Sequence, residues 1–456
     1  MNRKIPDRPN ILYIMTDQQH HGMMSCAGNP HVTTPAMDSI AEQGTRFGLA
    51  YSANPVCVPA RTAMMTGHYP GHFGIGTNAD GKVHPVPESD LKTCMGHLLH
   101  NGGYETVFGG KTHWACNMDP HSIGFREMLT RDSYDELADR AVEFLNRDHD
   151  RPFALVTSFH NPHDICLMAI DAFTQAEGLE QRYPQMKQAR EHLSEALEIP
   201  EYISREEFFD TVCPPLPDNH EIPEGEPPEA GSIADFQEWV RKHWKEEDWR
   251  LHRWAYCRLA ESVDRQIGRV LDALRNRGLE ENTVIIFSSD HGDMDSAHRL
   301  EHKPFFYEEA SRVPFIVSWK GVTPAGHTDM THPVSASVDL LPTVCGFAGI
   351  EPPDGLPGTS VRSLALGNED PGSKSHVIVE RHNGRMIRGS RYKYCVYSGE
   401  GLQEQLFDLE TDPGEMSNRA QDPAYADILR DHRSRLREWT ESYGDTAGKT
   451  YVPAEV

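Results

Sequence analysis

Four short apolar runs constrain this chain more than any other feature, because each ends abruptly in a charged group or an imidazole. They are NILYIMTD, ending at Asp17; ETVFGGKTH, at Lys111 and His113; FALVTSFHNPH, at His160 and His163; and TVIIFSSDH, at Asp290 and His291. Runs of this length that are apolar almost throughout suit strands buried on both faces, as in a mostly parallel sheet. Ligands of such sheets bind beyond the carboxyl ends of the strands, so the four ends are expected to converge on one site. Helical signals alternate with the runs. Thr34 and Pro35 open a segment that Gly44 closes, which matches an N-cap, a first-turn proline and a glycine stop. Trp254, Leu259, Val263, Ile267, Val270, Leu271 and Leu274 share one face of a longer helix ended by Gly278. The expected class is α/β, a large and mostly parallel sheet with helices on both faces.

Two breaks in composition organise the rest of the chain. Residues 165–250 include CPPLPDNHEIPEGEPPEAGS, rich in proline and acid, and read either as a lid-like excursion over a site or as a surface loop. The second break is GIEPPDGLPGTS, residues 349–360. After it, HVIVER, RMIRGSRYKYCVY and EQLFDL read as short strands, followed by a helix over 423–442. This places a catalytic α/β domain at 1–360, and a small α+β subdomain with a short antiparallel sheet at 361–456.

The formal net charge of −25, with no basic stripe to offset it, speaks against nucleic acid or an anionic membrane as partner. An anionic substrate would therefore need local cations. Nine cysteines are scattered without CxxC pairs, which fits reduced thiols better than a disulfide scaffold or structural zinc. The N-terminus lacks a long apolar stretch and a small-residue cleavage site, and no run approaches the roughly 20 residues of a membrane span. The expectation is a cytoplasmic protein.

The chemistry-bearing residues cluster at the run ends. Asp17 with Gln18, and Asp290 with His291, could supply four ligands to one hard divalent cation, calcium first, with magnesium or manganese as alternatives. Alternatively, Asp17 caps a turn and Asp290 begins one. Arg61, Lys111, His113, His163 and Lys303 are what an oxyanion with several equivalent oxygens requires. His113 and His163 are also candidates for proton transfer, with His298 and His302 as weaker candidates near the substrate. Asn78 either donates to an anion or stabilises its own turn. Cys57, in NPVCVPARTAMMTG, could be a thiolate nucleophile at a helix start near Pro59 or Ala60, a metal ligand or a core residue. The core reading leaves Pro59 and Arg61 unexplained.

The same stretch resembles the CxPxR signature of the type I sulfatases, members of the alkaline phosphatase superfamily, whose cysteine is converted to formylglycine. PNILYIMTDQQ, TPAMDSIAEQGTRF, GGKTHW, SFHNPHD, SSDHGD with His298 and Lys303, YEEASRVPFIV and LFDLETDPGEMSN resemble further family segments in the family's order, from about residue 9 to residue 420. The resemblance implies a mixed, mostly parallel sheet, with Cys57 as the formylglycine precursor and Asp17, Gln18, Asp290 and His291 as ligands of one divalent cation. It further implies that Arg61, Lys111 and His113 hold the formylglycine hydrate, and that His163 and Lys303 serve the sulfate and the leaving oxygen. The hydrate would attack sulfur, and elimination would then release inorganic sulfate.

The activity so implied is hydrolysis of a sulfate monoester of a small molecule or oligosaccharide, with a sulfated carbohydrate favoured. Gln18 and His291 stand where many sulfatases carry aspartate and asparagine. These pairs also resemble those of phosphonate monoester hydrolases and related phosphodiesterases, which supply the alternative reading. A catalytically silent glycan-binding protein is the rival from another class, and the intact set of polar residues speaks against it. The implied partners are the sulfate ester and a formylglycine-generating maturation enzyme; a homo-oligomer is compatible with the reading.

Overall fold

The computed structural model describes residues 8–231, 233–370, 372–401 and 403–453. Its strands in chain order are β1 (Asn10–Asp17), β2 (Gly44–Phe47), β3 (Ala50–Tyr51), β4 (Glu105–Gly110), β5 (Glu127–Met128), β6 (Phe153–Pro162), β7 (Thr283–Ser289), β8 (Phe315–Ser318), β9 (His327–Asp329), β10 (Val334–Ser335), β11 (Val377–Arg381), β12 (Gly384–Arg388), β13 (Tyr392–Tyr397) and β14 (Gln403–Asp408). Eight of them form one sheet in the order β5-β4-β6-β1-β7-β8-β2-β9. The four apolar runs are its neighbouring strands β4, β6, β1 and β7, all mutually parallel, so their carboxyl ends share one edge. The antiparallel β8 makes the sheet mixed.

The continuous apolar character of the runs has a direct cause. Along β1, Ile11, Tyr13 and Met15 enter the core on one face, while Leu12 and Ile14 enter the core on the other. Successive side chains point to opposite faces, and both faces are covered by helices. The long helix is Glu246–Asn276, and Gly278 follows it with φ of 67°. The helix opened by Pro35 ends at Glu42, and Gly44 already belongs to β2. The expected Thr34 cap does not form, because the Thr34 hydroxyl bonds Ser25 instead. The first amides of this helix are taken by Asp264 of the long helix, at 3.1 Å from Ala36 N and 2.9 Å from Met37 N.

Within residues 165–250 the structure holds the helices Cys166–Ala176, Lys187–Ala196, Arg205–Thr211 and Asp235–His243. Ile170, Leu193 and Val240 of these helices pack in one cluster with Trp249 and Leu259 of the long helix and with Met23 and Val32. Among the described residues no helix is long and apolar enough to cross a membrane. The C-terminal strands β11-β12-β13-β14 form an antiparallel sheet. One face packs Ile378, Ile387, Tyr394 and Leu406 with Leu429 and Leu436 of the helix Ala426–Tyr443. The opposite face packs Val377, Val379 and Tyr397 with Tyr51 and Phe306 of the large unit.

Candidate active site

Cys57 opens the helix Cys57–Thr66, all ten residues of which are buried. The helix starts two residues earlier than Pro59, so the proline stands in its first turn, where a missing N–H costs nothing. Asn78 lends its side-chain oxygen to this start, accepting the Val58 N–H at 2.9 Å. Arg61, one turn on, is wholly buried and ties the four neighbouring strands β4, β6, β1 and β7 together. Its Nε donates to Asp290 Oδ2 at 2.7 Å, its Nη2 to Asp17 Oδ2 at 2.8 Å, and its Nη1 to Ser158 Oγ at 2.9 Å and the Lys111 carbonyl at 3.0 Å. The close approach of β4 to β6 requires Gly110, where a Cβ would lie 2.1 Å from the Ser158 carbonyl and φ is 92°.

Around the Cys57 sulfur stand Lys303 Nζ at 3.0 Å and His291 Nε2 at 3.3 Å. The Lys303 ammonium also donates to Gln18 Oε1 at 2.8 Å and lies 2.8 Å from His291 Nε2. Burial is the largest influence on the thiol and opposes its ionisation, as does Asp17, yet Lys303, His291 and the adjacent His113 hold the pKa well below the usual thiol value. Asp17 is likewise opposed by burial, but Lys111, His163, Arg61 and Lys303 keep it well below the carboxylate range. Lys111 Nζ is 2.8 Å from Asp17 Oδ2, and His163 Nε2 is 4.0 Å from Asp17 Oδ1. Burial, reinforced by Lys111, pushes the His163 pKa below that of a free imidazole.

The ligating atoms of Asp17, Cys57, Asp290 and His291 all lie within 4.8 Å of one another. Asp17 Oδ1 is buried without a hydrogen-bond partner, while the Lys303 ammonium rests on the Gln18 and His291 donors. An orphaned carboxylate oxygen beside donors that already attract a cation fits a divalent metal ion. Arg61, Lys111 and Lys303 supply three cations beside the buried carboxylates Asp17 and Asp290, the local cations that an anionic substrate needs in a chain of net charge −25.

Of the residues expected from the sequence, Asp17, Gln18, Cys57, Arg61, Lys111, His113, His163, Asp290, His291 and Lys303 come together here. His302 joins them through Gln18 Nε2, 3.2 Å from its Nδ1. His298 does not reach the cleft: its ring is wholly buried and stacked on Tyr307 at 4.0 Å, so the expected substrate contact is not offered. Sequence reasoning missed Asp293, which accepts Gln18 Nε2 at 2.7 Å and the His302 N–H at 3.0 Å, and Tyr256, whose hydroxyl donates to the Gln18 carbonyl. Asp293 stands within SSDHGD, so its segment was visible although its role was not. Tyr256 carries no local signal.

The family model described as Sulfatase matches residues 9–350, and that of the N-sulphoglucosamine sulphohydrolase C-terminal region matches residues 296–442. The chain is 29% identical to a Delta 4,5-hexuronate-2-O-sulfatase of Bacteroides thetaiotaomicron over 98% of its own length and 92% of the relative's. It superposes on the structure of a 2-O GAG sulfatase with a TM-score of 0.79 and 28% identity, covering 96% of this chain and 93% of that one. A phosphonate monoester hydrolase of Agrobacterium radiobacter shares the fold at a TM-score of 0.71 and 21% identity, covering 96% of each chain.

Proposed function

Because the chain belongs to the sulfatase family of the alkaline phosphatase superfamily, we propose that this sulfuric ester hydrolase acts on a sulfated carbohydrate, with Cys57 as the precursor of its formylglycine nucleophile. The observation that carries the reading is that Lys303, His291 and His113 surround the Cys57 sulfur while Arg61 and Lys111 hold Asp17 beside it, at the carboxyl ends of four neighbouring strands. Asp17, Gln18, Asp290 and His291 would hold one divalent cation, with calcium favoured by the oxygen donors. When present, the formylglycine hydrate would supply the attacking oxygen, and the cation would supply Lewis acidity.

The remaining work falls to the chain's own side chains. Arg61 fixes Asp17 and Asp290 against mutual repulsion. Lys111 and His113 hold the hydroxyls at residue 57, Lys303 faces the sulfate oxygens as a donor, and His163 with Lys303 serves the departing oxygen. His113, beside residue 57, takes up the proton released there. Since the whole helix Cys57–Thr66 is buried, the maturation enzyme would have to reach Cys57 before this helix packs.

Release of inorganic sulfate from a 2-O-sulfated unsaturated hexuronate and from glucosamine 6-sulfate, set beside cleavage of phenyl phosphonate monoesters, tests the reading. Sulfate release is expected to dominate; preference for the phosphonate overturns it. Cys57→Ala is expected to lower kcat by about a thousandfold or more while keeping the far-UV circular dichroism of the parent.

A further inference from the structure

A side-chain amide is an ambiguous metal ligand, because its oxygen can serve a cation, its nitrogen cannot, and the two ends have the same shape. Gln18, the amide among the four ligands inferred above, has its ends sorted by what they touch. Its Oε1 accepts from the Lys303 ammonium at 2.8 Å, and that ammonium also meets Cys57 and His291. Its Nε2 donates to Asp293 Oδ2 at 2.7 Å and lies 3.2 Å from His302 Nδ1.

Asp293 is wholly buried, and among the described residues its carboxylate meets N–H donors alone. Besides Gln18 Nε2, Oδ2 accepts the His302 N–H at 3.0 Å, and Oδ1 accepts the Asp295 N–H at 2.8 Å. A carboxylate is an acceptor, so it can face only the nitrogen end of an amide, and the planar group then turns its oxygen the other way. The backbone of Gln18 is fixed as tightly. Its φ of 65° lies in the left-handed region, which a residue with a Cβ holds only where its surroundings impose it. Here its N–H donates to Asp290 Oδ1 at 3.1 Å, and its carbonyl accepts the Tyr256 hydroxyl. With the backbone held, the turn of the terminal amide decides which end meets the cation, and Asp293 sets that turn.

We propose that Asp293 is the positioning residue of the cation site: it locks the Gln18 amide with Oε1 towards the ion, and through the His302 N–H the same carboxylate oxygen steadies the segment that carries Lys303. A flipped amide would turn an N–H dipole on the ion. The cost then falls on the affinity for a hard, oxygen-seeking cation. The inference rests on the reading of Asp17, Gln18, Asp290 and His291 as ligands of one divalent cation.

The test titrates calcium calorimetrically into chelator-stripped parent and variants. Asp293→Ala, which has no acceptor, is expected to weaken binding by about ten- to a hundredfold, the usual effect of removing the partner behind a metal ligand. Asp293→Asn keeps an oxygen for Gln18 Nε2 and is expected to recover most of that loss. An Asp293→Ala affinity within about twofold of the parent, or an equal loss in Asp293→Asn, overturns the proposal. Europium luminescence lifetimes in water and heavy water give a readout that general loosening of the fold would not move. Loss of the amide oxygen is expected to add a metal-bound water in Asp293→Ala, and an unchanged water count overturns the proposal. The parent alone supplies a measurement that needs no folded variant at position 293. With glutamine labelled by nitrogen-15, the Gln18 side-chain NH2 is expected to exchange slowly with solvent when calcium is bound, and fast exchange overturns the proposal. If the stripped parent binds no calcium, the cation reading fails together with this one. An unaltered affinity in Asp293→Ala fails this inference alone.

Discussion

At the residue scale, histidines with the same one-letter symbol end in very different states, and burial with its partners decides which. His291 is held above its ordinary pKa because Asp290 and Cys57 outweigh its burial. His298, whose ring nitrogens meet neither solvent nor a hydrogen-bond partner, is pushed down to about 3 by burial, with Lys393 and Arg241 adding to the effect. Its protonation is therefore linked to unfolding. The unfolded chain takes up this proton below its ordinary value near 6.5 and the folded one does not. The stability His298 allows is thus full above pH 6.5 and is lost as pH falls from 6.5 towards 3. Across pH 6 to 4, His298→Phe, which retains a ring against Tyr307, is expected to reduce the pH slope of the unfolding free energy by up to about 1.4 kcal/mol per unit, one proton's worth. Urea titrations of parent and variant at several pH values measure it, and an unaltered slope means that another group carries the linkage.

At the scale of elements, the site depends on helix starts that borrow partners from elsewhere in the chain. The helix Cys57–Thr66 takes an oxygen from Asn78, and the helix Pro35–Glu42 takes both Asp264 oxygens from the long helix Glu246–Asn276. Helix starts leave their first amides without internal partners, and a side-chain acceptor there is worth about 0.5–2 kcal/mol. Asp264→Ala is expected to destabilise the protein by about 1–2 kcal/mol in urea unfolding, towards the upper part of that range because two buried amides lose their acceptors. A change below about 0.3 kcal/mol would mean that water replaces the carboxylate without loss. The proline and glycine punctuation located these helices to within a few residues. It misassigned the Thr34 cap, because a hydroxyl near a helix start carries no mark of which donor it will meet.

At the scale of the whole molecule, the small sheet is joined to the large unit by buried charge as well as by apolar packing. Lys393 of β13 has no exposed side-chain surface and lies 2.7 Å from Glu415 Oε1 and 3.2 Å from Glu308 Oε1. Glu415 Oε2 in turn accepts the Glu308 N–H at 2.7 Å, and Arg388 of β12 donates to the Tyr51 hydroxyl at 2.8 Å. Glu415 belongs to LFDLETDPGEMSN, so this segment meets the start of the helix Glu308–Ser311 through charge rather than by surface contact alone. Lys393→Met removes the cation that Glu415 and Glu308 share and leaves Glu415 buried without it, while Arg312 and Arg388 still attend Glu308. The expected cost is about 3–5 kcal/mol in urea unfolding, the usual penalty for breaking a buried pair from one side. Pairing it with Glu415→Gln should recover part of that loss, and absence of any coupling between the two would show that the network is not a unit.

The sequence by itself determined which segments become buried strands, which polar groups stand at their ends, and the CxPxR spacing around Cys57 that resembles one family. These are local facts, since apolar runs, proline and glycine punctuation and the CxPxR spacing are all written along a few neighbouring residues. The tertiary structure decided the strand order β4-β6-β1-β7, which alone puts Lys111, His163, Asp17 and Asp290 on one edge. It also decided that Arg61 bridges Asp17 and Asp290, 44 and 229 residues away, that His298 turns inward, and that Asp293 meets the Gln18 amide. Such pairings follow from which strands become neighbours and how far each helix is displaced across the sheet. The hydrophobic pattern records that a residue is buried, but not what it is buried against.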